Sequence, residues 1–214
     1  MTRKIFVFEL VLIAAALAAT VILYPQLPVQ VPTHWGSQLS PDNYGPKWQL
    51  YLFGPGGLAA ILALTWLLPW LSPRRFEMEA FKATYGLVML LVFLLVAYIY
   101  AVMLWAACGH AVQAVRAIFC GACLFMALFG NQMGKLRRNF YVGVRTPWTL
   151  ASERVWNRTH RFAGKAMVAA GLLGMLLSVA GPYLWAAAAL GAAALASVAY
   201  SLVFYKQLER RGEL

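Results

Sequence analysis

Residues 84–107 read TYGLVMLLVFLLVAYIYAVMLWAA, twenty-four positions without one charged side chain. At about 1.5 Å of helix rise per residue such a run covers the roughly 30 Å of a bilayer's hydrocarbon core. Working outward from it, five further apolar runs of similar length appear, approximately Ile5–Tyr24, Tyr51–Leu71, Val112–Met133, Phe162–Val179 and Leu184–Tyr205. Of the 214 residues only 12% are charged and 62% are hydrophobic, whereas a soluble domain carries about 25% charged residues. The fold class expected is all-α and integral to a membrane, a six-transmembrane-helix bundle.

The first run also resembles a signal peptide, with Arg3 and Lys4 before an apolar core and small residues at 16–19. Its apolar character continues to Tyr24, too far for a signal core, so it is read as a retained helix.

The cations fall in alternate connections. Arg3 and Lys4 precede the first run, and Arg74, Arg75 and Lys82 follow the second. Lys135, Arg137, Arg138, Arg145, Arg154, Arg158, Arg161 and Lys165 follow the fourth, and Lys206, Arg210 and Arg211 close the chain. Only Lys47 and Arg116 depart from this alternation. Cytoplasmic loops are enriched in Lys and Arg, so both termini and the second and fourth loops are expected inside and the first loop outside. The net charge of +11 then reports topology and attraction to anionic headgroups, with no groove-reading motif that would point to nucleic acid. Trp48, Trp70, Trp148 and Trp185 fall near helix ends, where indole rings favour the headgroup layer.

Two loops are long enough to carry function. They divide the chain into residues 1–71, a helix pair around a Pro-rich outer loop at about 25–50, and residues 72–214, four helices around an inner loop at about 130–165. The outer loop, PQLPVQVPTHWGSQLSPDNYGPKWQ at 25–49, holds five of the ten prolines. Proline fixes φ and lacks a donor, so a stiff extended segment is expected, with turns at SPDNYGP. Stiffness would present His34, Trp35, Asp42 and Lys47 in a defined arrangement. Imidazole and carboxylate are common metal ligands and acid–base partners, but one of each lacks the required company, and hydrogen bonding within the loop is the expectation. His110 is read as a histidine at a loop end.

The inner loop, GNQMGKLRRNFYVGVRTPWTLASERVWNRTHRFAGK at 130–165, leads into a helix that Ser152 can cap, with Glu153 at the positive end of its dipole. Arg154, Arg158, Arg161 and Lys165 recur at helical spacing as one basic stripe, with Val155, Thr159, Phe162 and Ala163 on other faces. A stripe can serve anionic headgroups. Gly143 and Pro147 bracketing Arg145 suggest instead a rigid turn, either a shaped site or a lock between helices.

The run 130–165 resembles the signature of the SdpI family of bacterial toxin-immunity membrane proteins, and the outer loop resembles the P-x-H…P-D-x-Y-G-x-K segment of a domain of unknown function found in many members. Leu39 stands where that segment usually has glycine. With the helices between them, the two motifs take in about 80% of the chain. The resemblance implies a bacterial inner-membrane immunity protein that protects against a secreted, membrane-active peptide toxin. It further implies signal transduction in which a cytoplasmic transcriptional repressor is recruited. Positions matching the inner motif are Asn131, Lys135, Arg138, Asn139, Gly143, Arg145, Thr146, Pro147, Trp148, Thr149, Trp156, Thr159, His160 and Arg161. Outside they are Pro32, His34, Asp42, Tyr44 and Lys47. His34, Trp35 and Tyr44 are candidate anchors for a peptide, since aromatic residues dominate binding. No residue is assigned a catalytic role, and neither cofactor nor metal is expected.

Other classes have weaker support. Cys120 and Cys123 form a C-x-x-C pair deep in an apolar run, where small residues serve close packing. A lipid-modifying or envelope enzyme could use His160, Arg145 and Asn139, but only Glu153 offers a carboxylate nearby. A small transporter would need charges within the membrane, and the runs hold only Glu9 and Arg116, both read as snorkelling to an interface.

Overall fold

The computed structural model describes residues 3–36, 40–72, 81–110 and 113–214; Leu39, Arg74 and Arg75 lie outside them. Six helices long and apolar enough to cross a membrane are present among the described residues. They are α1 (Arg3–Leu23), α2 (Gln49–Leu71), α3 (Lys82–Ala107), α4 (Ala114–Met133), α6 (Glu153–Ala180) and α7 (Leu184–Arg210), with a short α5 (Pro147–Ala151) before α6. Alternating direction brings the 24–48 connection to one end of the bundle, and the chain termini and the 134–152 segment to the other. These are the hairpin end and the motif end.

Pro25 and Pro28 stop α1, because neither can donate to the turn before it; the chain leaves through a single 3-10 turn at Tyr24–Gln26. It then forms an antiparallel ribbon of β1 (Gln30–Trp35) and β2 (Pro41–Pro46). The expected turn at SPDNYGP is therefore corrected: PDNYGP is a strand, and Gly36 donates its amide to the Ser40 carbonyl at 3.2 Å just before it. Proline is tolerated here since a two-stranded ribbon consists of edges. Val31 is fully buried opposite Gly45, and with Leu27, Leu50, Tyr100 and Leu104 it anchors the ribbon to the bundle.

Pro55 lies inside α2, where Leu52–Gly56 adopts a π-turn that absorbs the lost hydrogen bond. At Gly54 a Cβ would come within 2.4 Å of the Tyr100 ring. Tyr100 thus packs on bare backbone, and its hydroxyl reaches Thr20 of α1 at 2.5 Å. Three helices meet at that contact.

The tightest crossing joins α4 to α6. A Cβ on Gly164 would meet the Gly130 carbonyl at 2.7 Å, one on Gly171 the Cys123 carbonyl at 2.6 Å, and one on Gly174 the Cys123 sulfur at 2.5 Å. Small residues at this spacing let backbones touch, which replaces the hydrophobic driving force that lipid does not supply. Cys123 is buried in this seam and all three cysteines are free thiols. α7 packs against α6, and its buried face carries Ala186, Ala193, Ser197, Ser201 and Leu208.

Neither charge within the helices snorkels. Glu9 shares the inward stripe of α1 with Phe6, Ile13 and Thr20, so it is buried against the bundle, and one carboxylate oxygen has no partner among the described residues. Arg116 reaches sideways, donating to the Ser178 and Gly181 carbonyls at 3.0 Å each. Those carbonyls are unpaired at the end of α6, so the cation caps that helix where its dipole is negative.

Candidate functional site

The hairpin end holds six of the residues singled out in the sequence. His34 Nδ1 lies 2.5 Å from Asp42 Oδ1 across the ribbon, with both side chains half or more exposed. A one-residue irregularity between Pro32 and His34 re-aims the strand there. Among the described residues no group of three His, Cys, Asp or Glu side chains gathers as a metal site would require. His34 and Trp35 instead form one wall of an open apolar cleft whose other walls are Ile99 and Met103 of α3 and Val115 and Phe119 of α4. Tyr44 is 52% exposed, and Pro32 is half-buried beside it in the register.

Lys47 points the other way. Its Nζ donates to the Tyr24 and Leu27 carbonyls at 2.9 and 3.1 Å and lies 4.5 Å from the centroid of the Tyr24 ring. It ties the ribbon's exit to the end of α1, which is a scaffold role.

At the motif end most motif side chains bond inward. Asn139, fully buried, donates to the Arg137 and Val142 carbonyls and accepts from the Tyr141 and Val142 amides. All four bonding positions of one amide side chain hold the 137–142 turn. Gly143 has φ +115, a conformation that favours glycine, and Arg145 donates to the Phe140 carbonyl. Thr146 and Thr149 form a capping box that starts α5, with Pro147 in its first turn. Arg138 donates to the Leu150 and Ala151 carbonyls where α5 ends.

The segment is bound to two helices, α6 and α7. Trp156 donates to the Leu136 carbonyl at 2.7 Å and stacks on His160 at 3.9 Å. His160 Nε2 accepts from the Val144 amide at 3.0 Å, and its Nδ1 lies 2.8 Å from the Trp156 carbonyl. An acceptor at Nε2 and a donor at Nδ1 define the neutral Nδ1–H tautomer. Trp148, placed by sequence in the headgroup layer, is half-buried and donates to Ser201 of α7 at 2.7 Å. Thr159 is buried, its hydroxyl unpartnered among the described residues. Arg145 is exposed and bonds within its own turn, while the turn's bonds to the helices come from Val144 and Trp148.

Asn131, Lys135 and Arg161 remain on the surface, Lys135 bonded to Gln132. Arg154, Arg158, Arg161 and Lys165 form an exposed stripe, while Val155, Thr159 and Ala163 are buried against the bundle. His110 stacks on Trp105 at 4.2 Å.

The profile of the SdpI/YfhL protein family matches residues 135–205, which take in the motif turn and α6 and most of α7. The chain carries an SdpI-family region. A domain of unknown function (DUF1648) matches residues 11–58, the ribbon and its flanking helices. The chain is also similar to the protein called immunity protein SdpI from Bacillus subtilis (strain 168), 25% identical over 172 residues, or 80% of each chain. No solved structure matches. The SdpI-family region thus takes in most of the segment whose polar groups bond inward, and DUF1648 the ribbon that supplies one wall of the hairpin-end cleft.

The walls of that cleft, Ile99, Met103, Val115 and Phe119, carry no sequence signal, since apolar side chains on a membrane helix are what lipid contact also requires. Ser197 and Ser201 did carry one: two hydroxyls four residues apart on an apolar helix mark the face turned to protein.

Proposed function

We propose that this protein is an immunity protein of the bacterial inner (cytoplasmic) membrane that protects its host against a secreted, membrane-active peptide toxin. The observation that carries this reading is the match to a protein of that name over 80% of both chains. The distribution of Lys and Arg supports motif end and termini in the cytoplasm and the ribbon outside.

In this reading the ribbon is the receptor surface. A rigid two-stranded element roofs an apolar cleft at the outer ends of α3 and α4, with Trp35 at its edge and the His34–Asp42 pair in water. An amphipathic peptide arriving from outside meets aromatic and apolar surface for its greasy face and polar atoms for the other. The motif turn then serves as the clamp that keeps α4, α6 and α7 packed while the outer cleft is occupied.

The test is survival of a sensitive bacterial strain challenged with such a toxin, with and without this protein at verified membrane abundance. Protection that disappears when Trp35 and Tyr44 are replaced by Ala is the expected result. Equal killing with and without the protein, across toxins of this class, overturns the reading.

A further inference from the structure

At the motif end a groove opens between α4 and α6. Its head is lined by Asn131, Arg161 and Lys165, and it continues down α6 past Val168, Ala169 and Leu172. Gly130, Gly134 and Gly164 leave it room, since none contributes a side chain to the floor.

The depth follows from helix length. α6 has 28 residues, about 42 Å of helix, some 12 Å more than the hydrocarbon core needs. With Ala180 at the far boundary, roughly eight residues protrude at the start, so Arg161 sits at the headgroup boundary and Lys165, one turn deeper, reaches that level by extending its long side chain upward. Leu172 lies about 10 Å deeper than Lys165, within the acyl chains.

Of the stripe, Arg161 and Lys165 face this groove, and Arg161 also borders the neighbouring pocket lined by Arg154 and Arg158. Arg154 is held by Glu213 at 2.6 Å, and Arg158 donates to the Tyr200 hydroxyl at 3.2 Å beside the Phe204 ring. Arg161 and Lys165 meet no carboxylate among the described residues, and no acidic residue lines the groove. Two cations one turn apart above an apolar trough match an anionic headgroup joined to an acyl chain.

We infer that the α4–α6 groove binds one anionic diacyl phospholipid, its phosphate between Arg161 and Lys165 with Asn131 alongside, and one acyl chain against Val168, Ala169 and Leu172. A bound lipid fills the trough beside the glycine seam and braces the crossing that the motif turn clamps. A free phosphate would use the cations but leave the trough empty.

The experiment titrates delipidated, detergent-purified protein with phosphatidylglycerol, phosphatidylcholine or inorganic phosphate and counts bound lipid by native mass spectrometry. Phosphatidylglycerol is retained in preference to phosphatidylcholine, and the paired substitutions Arg161→Gln and Lys165→Gln weaken it about thirtyfold, roughly fivefold per cation. Ala169→Trp fills the trough and abolishes retention with both cations intact, whereas Arg154→Gln with Arg158→Gln leaves it unchanged. Undiminished phosphatidylglycerol binding by the Arg161/Lys165 variant overturns the site. So does an equal loss from the Arg154/Arg158 variant, which marks a diffuse basic stripe, or displacement by millimolar phosphate, which marks a soluble-anion site.

Discussion

Gly143 and His160 are in van der Waals contact: a Cβ built on Gly143 would lie 2.2 Å from His160 Nε2. The glycine lets the imidazole reach the Val144 amide one residue further on, so the turn and the helix are fitted to each other at a single point.

Gly143→Ala therefore combines a positive φ, at roughly 1–2 kcal/mol, with a clash that displaces His160 from its bond. A loss of about 3 kcal/mol or more is expected, read as a lower Tm in detergent and less folded protein in the membrane. In the Gly143→Ala, His160→Ala double variant the clash is gone. Its cost should fall short of the sum of the singles by more than about 0.5 kcal/mol, the usual limit of additivity for independent sites; strict additivity sinks the contact argument.

His160→Phe keeps a ring stacked on Trp156 but removes the acceptor for the Val144 amide and the donor to the Trp156 carbonyl. A buried amide left unpaired costs about 1–3 kcal/mol. Thermal unfolding should show that loss, and hydrogen exchange at Val144 should accelerate while α7 amides stay protected. An unchanged exchange rate at Val144 would show that the bond is not formed in solution.

Arg116 offers a test of the opposite end. Its guanidinium serves two carbonyls at the close of α6, and charged hydrogen bonds contribute roughly 1.5–3 kcal/mol each. Arg116→Leu, apolar and well suited to lipid, should nonetheless lower the Tm, and Arg116→Lys should recover part of the difference through a single bond. If Leu is as stable as Arg, the side chain is a snorkelling cation after all.

Much of the fold was legible because membranes impose simple rules. Six runs gave six helices, and the helix expected from Ser152 onward begins at Glu153 with Ser152 as its cap and runs unbroken through the Phe162–Val179 stretch. The ribbon was not legible: prolines argue against a sheet, and only the pairing of Val31 with Gly45 over a buried floor makes edge strands of Pro41 and Pro46. Glu9 and Arg116 were misread for one reason. Hydropathy records that a charge sits in a helix, but the direction in which it leaves the helix depends on neighbours that only packing supplies. The motif residues were found, yet their inward bonding was hidden, since Asn139 reads the same in a string whether its amide faces water or the turn it closes.

The two polar residues of the ribbon separate receptor from scaffold. His34 and Asp42 are exposed, and an exposed polar pair contributes about 0–1 kcal/mol, so His34→Ala should leave stability and abundance nearly unchanged while toxin protection falls. Lys47 holds two carbonyls at the end of α1. Lys47→Ala should cost roughly 2 kcal/mol or more and reduce protection only in proportion to abundance. Survival plotted against membrane abundance for both variants is the deciding measurement: His34→Ala should drop below the line set by dilutions of the parental protein, and Lys47→Ala should fall on it. Were both on the line, the cleft beneath the ribbon would not be where the peptide is met.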